Sequence, residues 1–241
     1  MLLVMTATAN EMRAAFPGGP VPAQGGTAAY ELGGHALLLA VSGVGLVNTA
    51  LMAGWLLGRA DVAGAVNLGI AGGYDLQRTP LLRACFAEGE VWPEYGLLGA
   101  DGLADARGIG FAQGRVRGEQ VWDRLELSPR EDAEAMNLGL GADWTPVTGV
   151  TVSGVSGTPE RAALLREARG GGMESMEGFG LAYAAALAGK PFLEVRTISN
   201  LAGSRGAGDW DLKGALRALA GATATLFAAQ SGACPATSNL T

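Results

Sequence analysis

The chain reads as an α/β protein, a single domain built as a three-layer α/β/α sandwich, and three observations lead to that class. Short apolar runs of strand length alternate with longer helical runs along the chain. Four of the predicted strands end in Gly, Ser, Glu or Asn, residue types that surround ligands at the carboxyl edge of such sheets. No repeat or linker divides the 241 residues, of which 49% are hydrophobic and 17% charged, enough to bury a sizeable core. Residues 1–230 are read as the domain and 231–241, small, polar and Pro-containing, as a disordered tail.

Residues 2–5 form a buried strand that delivers Glu11 to a loop at its C-terminal end, where Glu11 is a candidate base. Residues 17–26, rich in Pro and Gly, must be loop, and residues 30–32 and 36–41 form a hairpin around Gly33-Gly34. Ser42-Gly43-Val44-Gly45 then turns into a helix over 46–57. Its glycines permit a tight turn and expose backbone N–H groups, so it is either a structural turn or a ligand contact. Residues 63–70 are the next buried strand, ending in Ala71-Gly72-Gly73, and residues 81–92 are extended. The Gly-rich stretch 96–118 gives no periodicity. Residues 146–153 are a β-branched strand, Thr158-Pro159-Glu160 opens a helix with a cap and a first-position Pro, residues 191–198 are a strand, and residues 210–230 are the final helix.

Glu174-Ser175-Met176-Glu177-Gly178 lies between the loop Gly170-Gly171-Gly172 and the apolar helical run 179–188. A carboxylate beside a thioether suits a small polar ligand with one flat apolar face. Glutamate accepts from two neighbouring hydroxyls, and a methionine sulfur packs on a ring. An acidic residue at a helix N-terminus also complements the macrodipole, so the pentapeptide alone carries both readings.

The net charge of −6 and pI near 4.9 argue against a nucleic-acid partner, since no Lys/Arg cluster supplies the electrostatic footprint. Cys85 and Cys234 have no paired spacing, and His35 is the sole histidine. That excludes a familiar zinc site, and His35, at the hairpin turn, reads as structural. No signal peptide or membrane span is indicated, which makes the cytoplasm the expected location.

Four motifs in order carry a resemblance: Ser42-Gly43-Val44-Gly45, Asn67-Leu68-Gly69-Ile70-Ala71-Gly72-Gly73, Glu174-Ser175-Met176-Glu177-Gly178 and Arg196-Thr197-Ile198-Ser199-Asn200. Together they resemble the purine nucleoside phosphorylase and nucleosidase superfamily. Met176-Glu177-Gly178 and Ile198-Ser199-Asn200 are most similar to its futalosine hydrolases, in menaquinone biosynthesis. Residues 75–145 follow the pattern less closely. The resemblance implies hydrolysis of the N-glycosidic bond of a purine nucleoside, a homo-oligomer, and neither cofactor nor metal. It implies that Glu11 deprotonates water, that Glu177 holds the ribose hydroxyls with Met176 against the sugar, and that Asn200, its loop set by Ser199, faces N7 and the 6-substituent of the purine. Ser42, Gly72 and Ser175 belong to the substrate-binding motifs, and Arg205 and Trp210 are the candidates for the 5′ end. Phosphorolysis would need arginines near the glycine loops. Asn67-Leu68-Gly69-Ile70 has none, so water is the expected nucleophile. Methylthioadenosine nucleosidase, phosphorylase and a non-catalytic nucleoside-binding protein are the alternatives.

Overall fold

The computed structural model describes residues 1–100 and 102–228. The expected tail 231–241, and the last residues of the expected final helix, lie outside them. The chain begins with β1 (Leu2–Thr6), whose even residues Leu2 and Val4 enter one hydrophobic core while Leu3 and Met5 enter another. A strand buried on both faces is what a three-layer arrangement requires. Thr8 then caps α1 (Ala9–Ala15), with Glu11 as the reciprocal member of a capping box. Glu11 therefore sits on a helix rather than on the expected loop. The signature Thr-x-x-Glu was legible in Thr8-Ala9-Asn10-Glu11.

The hairpin is β2 (Thr27–Leu32) and β3 (His35–Val41), followed by α2 (Leu46–Leu57), with Gly43 and Gly45 of the intervening turn at φ 92° and 99°. Next comes β4 (Gly64–Gly73), longer than expected because Gly72 and Gly73 are paired on both sides by later strands. β5 (Ala84–Val91) is followed by five short strands: β6 (Leu97–Leu98), β7 (Ala104–Asp105), β8 (Gly114–Val116), β9 (Glu119–Val121) and β10 (Arg124–Glu126). α3 (Pro129–Ala135) was not anticipated, although Pro at its start and Glu131 and Asp132 in its first turn are N-terminal signals.

β11 (Thr145–Thr151) and α4 (Pro159–Arg169) follow, and α4 ends at Gly170 in the left-handed conformation. The expected glycine loop is instead this one-residue cap and the start of β12 (Gly171–Ser175). Small residues are needed there, because a Cβ at Gly171 would meet the Tyr74 ring at 2.8 Å and one at Gly172 would meet Val147 at 2.6 Å. α5 (Gly178–Leu187), β13 (Phe192–Leu201) and α6 (Leu212–Leu226) complete the fold. Trp210 lies before α6, not within it, and its backbone bridges to Asn200.

Among the described residues, nine strands form the main sheet, in the order β10-β5-β11-β12-β4-β1-β3-β2 with β13 paired to both β4 and β5. The path β4, β12, β11, β5, β13 thus closes on itself, helped by register shifts in β11 and β13 that bend those strands. One core packs residues of α1, α3 and α6 against the sheet, and the other those of α2 and α5. No helix among the described residues is long and apolar enough to cross a membrane.

Candidate active site

A cavity of about 360 Å³ opens at the carboxyl ends of β1, β4 and β13, walled by Glu11, Val44, Ile70, Gly72, Glu174, Met176, Glu177, Ser199, Asn200 and Trp210 among others. Parallel strands ending together leave backbone groups and side chains converging there. The bulge in β13 matters to this convergence. Strict alternation would place Asn200 on the face of Arg196 and Ile198, but the register slips between Ile198 and Asn200, so that Asn200 pairs with Gly72.

Glu11 is buried, and the capping box fixes its carboxylate: Oε2 accepts from the Thr8 N–H at 3.0 Å and the Thr8 hydroxyl at 2.8 Å, and Oε1 accepts from the Ile70 N–H at 3.1 Å. Burial pushes its pKa above the usual carboxylate value, a rise that Arg196 and the Thr8 hydrogen bond limit. Such a group is a better proton acceptor near neutral pH than a solvated glutamate.

Glu177 is the N-cap residue of α5, yet its side chain makes no cap hydrogen bond. Instead Oε1 accepts from the Gly45 N–H at 3.0 Å and Oε2 pairs with Arg196 Nη1 at 3.3 Å. The glycine turn before α2 therefore serves to hold Glu177. Arg196 is 1% exposed and also binds Glu194 through Nε at 2.9 Å. Burial alone would lower its pKa, but Glu194, Glu177 and Glu11 outweigh that and hold it above the usual guanidinium value. Behind it, fully buried Glu90 accepts from Thr151 Oγ1 at 2.6 Å, and its Oε1 and Glu194 Oε2, neither with another partner among the described residues, both face Gly178. Two carboxyl groups can bond only if one keeps its proton. Burial, then the Glu194 charge, pushes the Glu90 pKa well above the ordinary range.

Asn200 is oriented by its immediate neighbours in β13. Its Oδ1 accepts from the Ser199 hydroxyl at 2.8 Å and its Nδ2 donates to the Leu201 carbonyl at 3.1 Å, leaving one N–H and one lone pair for a ligand. Met176 lines the same cavity beside Glu177. Trp210 lies at this end too, with the Arg205 guanidinium 5.1 Å from its ring centroid, and Arg205 enters a recess shared with Gly72, Ser156, Glu174 and Asn200. The pair expected at the 5′ end thus stands at the Asn200 end.

Two expected contacts turn inward. The Ser42 hydroxyl is spent on the Thr6 and Gly43 carbonyls, and that of Ser175 accepts the Gly178 N–H at 3.4 Å; neither residue lines the cavity. Glu174, Glu194 and Arg196, and Glu90 behind them, went unassigned in the sequence. Glu194 and Arg196, two apart in an apolar strand, were a visible signal of a charged pair on one face. Glu174 stands in a motif already singled out.

The profile of a family described as the phosphorylase superfamily matches residues 3–82 and 104–233. A futalosine hydrolase of Thermus thermophilus is 35% identical over 193 residues, 80% of this chain and 81% of that one. One of Acidothermus cellulolyticus is 32% identical over 233 residues, covering 94% and 90%. Among solved structures, the 5′-methylthioadenosine/S-adenosylhomocysteine nucleosidase of Neisseria meningitidis in complex with methylthio-immucillin-A superposes with a TM-score of 0.71 at 21% identity, covering 95% and 99% of the two chains. A futalosine hydrolase mutant of Helicobacter pylori superposes with a TM-score of 0.61 at 16% identity, covering 94% of each. At these identities the superpositions speak for the fold alone.

Proposed function

We propose that this chain, which belongs to the phosphorylase superfamily and within it to the futalosine hydrolases, hydrolyses the N-glycosidic bond of futalosine to release hypoxanthine. The observation that carries the reading is one cavity presenting Glu11, Glu177 and Asn200, with no Lys or Arg among the described residues on its wall. Breaking the bond develops oxocarbenium character on the sugar and charge on the base, so the site must supply a nucleophile, hold the ribose and stabilise the leaving purine. Glu11 takes a proton from water as the water oxygen bonds to the anomeric carbon. The electrons of the broken C–N bond pass to the purine, which leaves protonated at N7 from solvent. Glu177, fixed by Gly45 and Arg196, accepts from the two ribose hydroxyls, and Met176 packs on the sugar. Asn200 gives its free N–H to O6 and accepts N7–H.

Phosphorolysis would require a bound dianion. The buried Arg196 is already engaged by Glu194 and Glu177, which favours water over phosphate. The reading includes a place in menaquinone biosynthesis, a cytoplasmic location and a homo-oligomer. Incubating futalosine with the enzyme in phosphate-free and phosphate buffers, then separating the products by chromatography, tests it. Equal rates of hypoxanthine release and a free sugar product are expected. A strict phosphate requirement, or a phosphorylated sugar, refutes hydrolysis.

A further inference from the structure

Glu174 faces the purine end of the cavity from the side opposite Asn200. In the sheet β12 and β13 flank β4, and both Glu174 and Asn200 are in register with Gly72. Two strand spacings, about 9.5 Å, separate their backbones, and the residue between them has no side chain. A Cβ at Gly72 would already lie 3.2 Å from Asn200 Nδ2. A flat heterocycle laid over Gly72 therefore meets an amide along one edge and a carboxylate along another.

The carboxylate is held for such a contact. Although 6% exposed, Glu174 lines both the main cavity and the adjoining recess. Its Oε2 accepts from the Tyr74 hydroxyl at 2.9 Å and the Ser156 hydroxyl at 2.5 Å, whereas among the described residues Oε1 accepts only the Ser156 N–H, at 2.9 Å. All three partners donate, so the group is presented as an acceptor, and Oε1 retains a lone pair.

We propose that Glu174 is a specificity-determining residue that accepts the N1–H of a 6-oxopurine through Oε1 while Asn200 reads O6 and N7. This rests on the nucleosidase reading above. Hypoxanthine presents a donor at N1 beside the O6 acceptor. Adenine presents a bare lone pair at N1, which a carboxylate repels, so a 6-aminopurine is mismatched at both side chains. A 2-amino group would add a second donor next to N1, but Oε2 is already occupied, so guanine gains nothing there.

The test is Glu174→Gln, which keeps the shape and lets an amide N–H turn toward a purine N1. The ratio of kcat/KM values for a 6-oxo and a 6-amino nucleoside bearing the same sugar should fall about tenfold to a hundredfold, the loss falling on the 6-oxo substrate. Equal losses on both, or an unchanged ratio, overturn the proposal and leave Glu174 as a tie for the Ser156 loop. Calorimetric binding of free hypoxanthine and adenine makes the same comparison without turnover. If the Gln variant does not fold, Glu174→Asp, which withdraws the charge by one methylene, should weaken hypoxanthine binding without weakening adenine binding; equal weakening of both overturns the proposal. A wild type that releases no purine from either nucleoside refutes the nucleosidase reading itself, whereas an active wild type with an unshifted variant ratio refutes only the role of Glu174.

Discussion

At the scale of single residues, the site uses four carboxyl groups around one guanidinium, and burial gives them different duties. Glu11 must be ionised to act as a base, and burial raises its pKa, so kcat/KM should fall with acidification over a range above that of an ordinary carboxylate. A pH–rate profile locates that limb, and a limb at the solvated glutamate value would remove Glu11 as the base. Glu11→Gln keeps the shape but not the base, and turnover should drop by about two or more orders of magnitude with little change in affinity. Asn200→Asp, nearly isosteric, should shift the kcat/KM ratio toward 6-amino nucleosides without unfolding the protein; an unchanged ratio means that Asn200 does not read the base. Glu90 has a different signature. With its folded-state pKa raised, its contribution to stability is complete below the unfolded value and is lost as pH rises through the folded value. Glu90→Gln should therefore match the wild type near pH 4 and gain on it at higher pH, by at most about 1.4 kcal/mol per pH unit. Urea unfolding at several pH values measures this, and parallel curves would mean that Glu90 is ionised in the fold.

Elements set where those residues stand. The N-terminus of α5 is placed against the buried carboxylates because Gly178 has no side chain: a Cβ there would run into Glu194 and Glu90. Neither neighbour has an exposed route of retreat, since both are 0% exposed. Gly178→Ala should cost about 1 to 3 kcal/mol as overpacking, lowering Tm by roughly 2 to 12 °C. It should also slow turnover, because Glu194 and Glu177 share Arg196. A thermal scan alongside kinetics checks both; a variant as stable and active as the wild type would show the carboxylates free to move aside.

Across the whole molecule, one face of α2 stays uncovered in the single chain. Val47, Leu51 and Trp55, spaced by four residues on one stripe, are 68%, 71% and 67% exposed, an apolar surface of the kind that marks an interface. Since α2 begins at the turn that holds Glu177, an interface there would also steady the site. Sedimentation equilibrium at micromolar concentration should find an oligomer, and Leu51→Glu with Trp55→Glu should yield a monomer. A monomeric wild type would refute the homo-oligomer reading.

What the sequence alone determined was local in origin. Apolar alternation set the order of strands and helices, Thr158 with Pro159 marked a helix start, and four short motifs carried the family, because each depends on neighbours within a few residues. Tertiary structure decided the rest. The Glu177–Gly45 hydrogen bond spans 132 residues, that between Glu11 and Ile70 spans 59, and that between Thr151 and Glu90 spans 61. The hydroxyls of Ser42 and Ser175 turned inward once packing offered nearer partners. Asn200 reached the face of Gly72 through a slip in register, and Glu174 came opposite it by antiparallel pairing of β12 with β4. Strand register is fixed by burial against segments distant in the chain, and a charge stays buried only where such pairing brings its partners within reach.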